Sequence, residues 1–258
     1  MSIMSVGMTD AVHVWVGTPA DFGSPRLVEQ LTGWLSPDER QRHQRFHAAT
    51  DRDAFLVAHG VLRFLIGEYL GQPPAVLRFE AGPHGRPELV QLEPGPRLRF
   101  NLSHTRGLVA WAFSLDRACG VDVEEIRDDV AIDRLAPAVC TTAECARLRA
   151  LDPQGRIRYF YSIWSLKEAL VKGCGLGIDA AADVTIEPAG STGEYHSDGV
   201  PGHGAQAARW SLRGTVWRAR HVLAVACEHR TPPKPRMVLR SFHPRALLTE
   251  LKGRLTLA

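Results

Sequence analysis

The chain has 258 residues, a formal net charge of +3 and a pI near 8.7, long enough for one large domain or two halves. Its positive charge is scattered as single Arg residues rather than gathered into Lys/Arg blocks, which argues against nucleic acid as the main partner, and no apolar run approaches the roughly 18 residues needed to cross a bilayer. The cysteines (Cys119, Cys140, Cys145, Cys174, Cys227) are odd in number and lack a CxxC pair, and Met1 to Thr9 has neither a basic nor a long apolar leader region, so reduced thiols in a cytoplasmic protein are expected.

In chain order, Ala11 to Val16 alternates like a strand, and Ser24-Pro25 opens a short helix with a cap residue and Pro at its first position. Ser36-Pro37-Asp38-Glu39 is a capping box, and the helix behind it carries Arg40, Arg42 and Arg45, either a solvated basic face or a phosphate or carrier contact. Thr50 is expected to cap a long helix through Leu70, stopped by Gly71 and Pro73-Pro74. Short strands are expected at 76–79, 98–102 and 108–113, with Gly82 to Pro87 a turn. Ala118 to Glu124 alternates apolar and acidic, which puts Asp122 and Glu124 on one strand face and Glu125 on the other. Tyr159 to Lys172 is an amphipathic helix with Glu168 and Lys172 one turn apart. A mobile loop is expected over 188–206, strands at 209–212, 216–220 and 222–227, and a short helix near 246–252.

Shifting the numbering by 105 places Ser36 on Thr141, Glu39 on Glu144, Phe55 on Phe160 and Leu65 on Leu170. The expected class is therefore α+β, a pseudo-twofold pair of similar α/β lobes (10–115 and 116–230, with an extension 231–258) and a site in the cleft between them.

Taken alone, Glu168 and Lys172 read as a solvated i,i+4 pair, and Asp122 and Glu124 as the wet face of a half-buried strand. Should Glu168 join the two strand carboxylates, the cluster is three hard oxygen donors without His or Cys. Such a set suits Mg²⁺, which binds through a few carboxylates plus a substrate's phosphates.

Gly120-Val121-Asp122-Val123-Glu124 followed by Trp164-Ser165-Leu166-Lys167-Glu168-Ala169-Leu170-Val171-Lys172 resembles the paired signature of the 4′-phosphopantetheinyl transferase superfamily. Gly85-Arg86-Pro87 and Phe100-Asn101-Leu102-Ser103-His104 are similar to two further motifs of that family, in the right order. Four ordered motifs in a chain of this length point to the larger, two-lobed class that serves polyketide and nonribosomal peptide synthases. The resemblance implies transfer of the 4′-phosphopantetheine arm of coenzyme A to a serine of an acyl or peptidyl carrier protein, releasing 3′,5′-adenosine bisphosphate. By the same resemblance Asp122, Glu124 and Glu168 are expected to hold Mg²⁺, Glu168 or a metal-bound water beside it to take the serine proton, and Lys172 to neutralise the departing phosphate. Arg86, Asn101, Ser103, His104 and Lys172 are the expected coenzyme A contacts, with Arg86 where relatives commonly have Lys, and Arg52 is either a further phosphate contact or an exposed helix Arg. Lys167 is expected to be a surface lysine or a carrier contact, and the protein is expected to be a monomer. The alternatives are a synthase devoted to fatty-acid carriers and, from another class, a non-catalytic binder of coenzyme A or carriers.

Overall fold

The structure is a computed structural model that describes residues 8–82, 87–91, 95–182, 184–190, 193–197, 199, 209–229 and 234–248. Strand β1 (Ala11–Gly17) leads into three helices, α1 (Pro25–Trp34), α2 (Pro37–Gln44) and α3 (Ala49–Leu70). Four strands follow: β2 (Phe79–Ala81), β3 (Pro87–Leu89), β4 (Leu98–Thr105) and β5 (Leu108–Leu115). The same order then recurs. Strand β6 (Cys119–Glu125) precedes α4 (Ile132–Val139), α5 (Thr142–Arg149) and α6 (Pro153–Cys174), and these precede β7 (Ile186–Pro188), β8 (Glu194–Ser197), β9 (Arg209–Trp217) and β10 (His221–His229). Strand β11 (Arg236–Ser241) and the short α7 (Arg245–Leu248) come last among the described residues. One sheet runs β11-β1-β5-β4 and the other β6-β10-β9-β8-β7, so the unit β1-β5-β4 has its counterpart in β6-β10-β9.

The repeat extends to side chains. Ser36 and Thr141 both form complete capping boxes, with Glu39 and Glu144 as their reciprocal partners. The long helices α3 and α6 are each 22 residues and each stops at a left-handed glycine, Gly71 (φ 66°) or Gly175 (φ 72°), a conformation that costs glycine nothing. Each box glutamate also pairs with a buried cation on its long helix: Arg63 Nε donates to Glu39 at 2.8 Å, and Lys167 Nζ donates to Glu144 at 2.6 Å and to the Val139 carbonyl at 2.7 Å.

The layers run helix, sheet, sheet, helix. On one face of β1 and β5, Trp15, Trp111 and Phe113 pack beneath α3, where Trp111 Nε1 donates to the Ala58 carbonyl at 2.8 Å. The opposite faces supply Val12, Val14, Ala110 and Ala112, which meet Val121, Val123, Leu223 and Val225 of the second sheet in a core between the lobes. Beyond it, Ala224 and Ala226 of β10 pack on Ile163, Leu166 and Leu170 of α6.

Several expectations are corrected. Helix α3 begins one residue before Thr50, because Ala48 is the last residue with extended backbone (φ −78°, ψ 131°), and no side chain caps that end. The expected strand at 76–79 is a 3₁₀ turn at Pro74–Val76 and then β2. The expected strands at 209–212 and 216–220 are one strand, β9, running through Gly214, where the Tyr195 ring would stand 3.3 Å from an added Cβ. Part of the loop expected at 188–206 is strand β8, held between β7 and β9; the rest lies outside the described residues, apart from 188–190, 193 and 199. The extension returns to the first lobe. Strand β11 lies parallel to β1, and Phe242 behind it enters the first core against Trp15, Phe22, Phe64 and Trp111.

Candidate active site

The site forms where β4 and β6 run side by side at the edges of their two sheets. They share no ladder. Instead alternate side chains of β4 bond to outward backbone groups of β6: Asn101 Oδ1 accepts from Val121 N–H at 2.9 Å, Ser103 Oγ from Val123 N–H at 3.4 Å, and Thr105 Oγ1 from Glu125 N–H at 3.4 Å. A period of two on one strand thus meets a period of two on the other, and the seam satisfies edge groups that would otherwise be open. Asn101 and Ser103 are in this way committed to joining the lobes as well as lining the cleft.

Helix α6 reaches β6 through two glycines. A Cβ on Gly120 would stand 1.9 Å from the Ala169 carbonyl oxygen and 2.6 Å from Gly173 N, so no other residue lets the helix lie this close. That approach carries Glu168 and Lys172 onto Asp122. Lys172 Nζ donates to Asp122 Oδ1 at 2.6 Å and to Ser103 Oγ at 3.3 Å, and lies 3.9 Å from Glu168 Oε2. Ser103 Oγ donates to the same Asp122 oxygen at 2.9 Å. Asp122 is 2% exposed, so the strand face read as a wet one is closed over at this residue.

The electrostatics follow from crowding three carboxylates around one ammonium. Burial raises Glu124, the charges of Asp122 and Glu168 add to it, and Lys172 only partly offsets them, leaving the carboxyl at about 7. Burial likewise raises Glu168, against the pull of Lys172 and with a further push from Asp122. Asp122 Oδ2 is buried and has no hydrogen-bond donor among the described residues. No three acidic, His or Cys side chains among those residues stand at metal-ligand spacing, and Lys172 takes the other Asp122 oxygen. The donor set nonetheless fits a hard divalent cation: it consists of oxygens only, it carries an unmet buried acceptor, and burial together with neighbouring negative charge raises the carboxyls of Glu124 and Glu168.

Two cavities meet at His104. One, of 920 Å³, is lined by His59 and Asn101 and by the cations Arg42, Arg63, Arg78 and Lys172 against the carboxylates Asp38, Glu39 and Glu80. The other, of 730 Å³, has an apolar and aromatic wall of Leu135, Phe160, Tyr161 and Trp164 beside Glu124 and Arg106. Burial pushes the His104 ring down, the positive charges of His59 and Lys172 push the same way, and Asp51 opposes them. Arg52 is exposed on the first turn of α3 and stands outside the walls of both cavities. Arg86 lies outside the described residues. Glu125 points away from the cluster, as expected, and takes two bonds from Arg220. Lys167, expected at the surface, is instead wholly buried; the helix period that puts Glu168 and Lys172 in the cleft turns Lys167 toward α5, where Glu144 awaits it. Sequence reasoning also passed over His59 and Arg78. Glu39 had been accounted for by its capping box, which hid that it also binds His59.

A family model described as the 4′-phosphopantetheinyl transferase superfamily matches residues 118–226, and one described as 4′-phosphopantetheinyl transferase, N-terminal, matches residues 23–115. The 4′-phosphopantetheinyl transferase HetI of Nostoc sp. (strain PCC 7120) is 32% identical over 69% of this chain and 75% of its own length. The chain belongs to the 4′-phosphopantetheinyl transferase superfamily. Other members similar to it are psf-1 of Bacillus pumilus (31% identity over 61% of this chain and 65% of its own) and a phosphopantetheinyl transferase of Thraustochytrium sp. (28% over 85% and 79%). The two family matches divide at the β5–β6 turn, where the structural repeat also begins again.

Proposed function

We propose that the chain moves the 4′-phosphopantetheine arm of coenzyme A to a serine hydroxyl of an acyl or peptidyl carrier protein, leaving 3′,5′-adenosine bisphosphate. The single observation that carries this reading is the junction of Asp122, Glu124, Glu168 and Lys172 beside two cavities that meet at His104, with Lys172 in the wall of one and Glu124 in the wall of the other. Phosphoryl transfer asks an enzyme for position and charge more than for covalent chemistry. Lys172, Arg42 and Arg78 supply positive charge for a nucleotide and its phosphates in the 920 Å³ cavity, with Asn101 and His104 in its wall, Ser103 beside Lys172, and Arg86 as a further phosphate contact. The 730 Å³ cavity, with its apolar wall, suits the pantetheine arm and the approaching carrier.

Asp122, Glu124 and Glu168 would hold Mg²⁺, which when bound neutralises the pyrophosphate. Glu168, its carboxyl raised by burial, is placed to take the proton of the carrier serine. Lys172, one turn along, balances charge on the departing phosphate. Loss of one acidic residue would mark a non-catalytic binder, and all three are here. We further propose a cytoplasmic monomer divided as 10–115, 116–230 and 231–258, serving polyketide or nonribosomal peptide carriers; no helix among the described residues is long and apolar enough to cross a membrane. Incubation of an apo carrier protein with this protein, coenzyme A and Mg²⁺, read by mass spectrometry, tests the reaction. A phosphopantetheine-sized gain is expected, and an unmodified carrier from every class tried would overturn it. Competition between fatty-acid and secondary-metabolism carriers decides which of them the enzyme serves.

A further inference from the structure

Within the 920 Å³ cavity one pair has no part in the chemistry above. His59, on α3, turns Nδ1 to Glu39 Oε1 at 3.3 Å, its ring stacks on Phe55 with centroids 4.0 Å apart, and only 12% of its side chain is exposed. Glu39 is itself fixed by Ser36 N–H at 2.8 Å and Arg63 Nε at 2.8 Å. A carboxylate can only accept, so Nδ1 must carry the proton, and Nε2 is the ring's remaining polar atom in a wall of the 920 Å³ cavity. Glu39, Arg63 and the Phe55 ring thus hold the imidazole in one orientation before any ligand arrives.

We propose that His59, oriented by Glu39, is a nucleotide-binding residue that donates from Nε2 to a phosphate oxygen of the adenosine bisphosphate portion of coenzyme A. This rests on the coenzyme A reading of the cavity. Donation from Nε2 while Nδ1 faces Glu39 requires the doubly protonated ring. A bound phosphate on one side and Glu39 on the other both stabilise that form, so binding takes up a proton. The other charged groups facing the cavity are Asp38 and Arg42 of α2, Arg63 of α3, Arg78 ahead of β2, Glu80 of β2, His104 of β4 and Lys172 of α6; His104 is the other imidazole among them, and burial lowers it. A difference between the unmutated protein and a His59 variant therefore isolates His59.

The test is calorimetric binding of 3′,5′-adenosine bisphosphate between pH 6 and 8. His59→Gln is expected to weaken binding about tenfold at pH 6 and to flatten its fall toward pH 8, while His59→Lys, which keeps a cation beside Glu39, retains most of the affinity. Equal affinity of His59→Gln and the unmutated protein across that range would overturn the proposal, as would Gln and Lys variants that lose affinity alike. Should the variants fail to fold, proton uptake by the unmutated protein, measured in buffers of different ionisation enthalpy, decides: none between pH 6 and 7.5 refutes it. If the unmutated protein does not bind the bisphosphate at all, it is the coenzyme A reading that fails.

Discussion

Glu168 and Lys172 lie one turn apart on α6, and spacing alone would make them a solvent pair of a few tenths of a kcal/mol. Their 3.9 Å separation is in fact looser than the 2.6 Å contact of Lys172 with Asp122 on another element, so the ammonium serves the cleft before it serves the helix. Glu168→Gln should fold normally by circular dichroism yet transfer phosphopantetheine at least about 100-fold more slowly, roughly 2.7 kcal/mol of barrier, because it keeps size but loses charge and basicity. A rate within about threefold of the unmutated protein would remove Glu168 from the chemistry. Glu39 gives a prediction of a different kind. Burial works to raise its carboxyl, but hydrogen bonds from His59 and the Ser36 N–H and the charges of Arg63 and His59 outweigh it and bring it from 4.5 down to about 2. A carboxyl lowered on folding contributes stability that is fully present above its unfolded value, near 4.5, and is lost as pH falls through the folded value, near 2. The amount is on the order of 3 kcal/mol. Urea unfolding at pH 5, 3.5 and 2.5 should show a steeper loss for the unmutated protein than for Glu39→Gln, and parallel losses would place the acid lability elsewhere.

At the scale of elements, each long helix is bolted to the short helix before it by one buried cation and one capping-box carboxylate. Glu144 accepts from Thr141 N–H, Ile186 N–H and Lys167 at 2.8, 2.9 and 2.6 Å, so this buried pair has its hydrogen bonds met. Removing one partner from such a pair strands the other: Lys167→Ala should cost about 3 to 5 kcal/mol in chemical denaturation, and Lys167→Met with Glu144→Gln less than Lys167→Ala alone. An exposed lysine would show less than about 0.5 kcal/mol. The contact of α6 with β6 is steric rather than ionic. Gly120→Ala places a methyl on backbone atoms that cannot rotate aside, so on the order of 3 kcal/mol or more should be lost, together with activity, as the helix carrying Glu168 and Lys172 is pushed from Asp122. An alanine variant of unchanged thermal midpoint would show that the helix does not sit this close.

Across the described residues, the lobes are joined by the apolar core between the sheets and by the β4–β6 seam, and the last described strand reinforces the first lobe rather than the second. Strand β11 and Phe242 pack on β1 and the aromatic cluster at its end, remote in sequence from both. Phe242→Ala should cost about 3 to 5 kcal/mol by leaving a cavity among Trp15, Phe22, Phe64 and Trp111, while turnover per folded molecule holds because these ring partners belong to the first core and not to the cleft. Equilibrium unfolding and active-site titration of the same preparation separate the two effects; unchanged stability would mean that Phe242 is not part of that core.

The sequence by itself determined what local rules govern. Capping boxes at Ser36 and Thr141, the glycine stops at Gly71 and Gly175, the helix period that put Glu168 beside Lys172 and the strand period that put Asp122 beside Glu124 are each set by residues within a few positions of one another. The repeat was legible for the same reason, since its anchors are caps and apolar spacing. Tertiary structure alone decided the rest. Lys167 is chemically a surface residue, and only a carboxylate arriving from α5 makes its burial tolerable. Asn101 and Ser103 are polar residues in a strand, and only the parallel run of β6 turns them into a seam between lobes. The return of β11 to β1 closes a loop of more than 200 residues. No local propensity specifies such a pairing, because what stabilises it is apolar surface buried between segments that meet only once both lobes have formed.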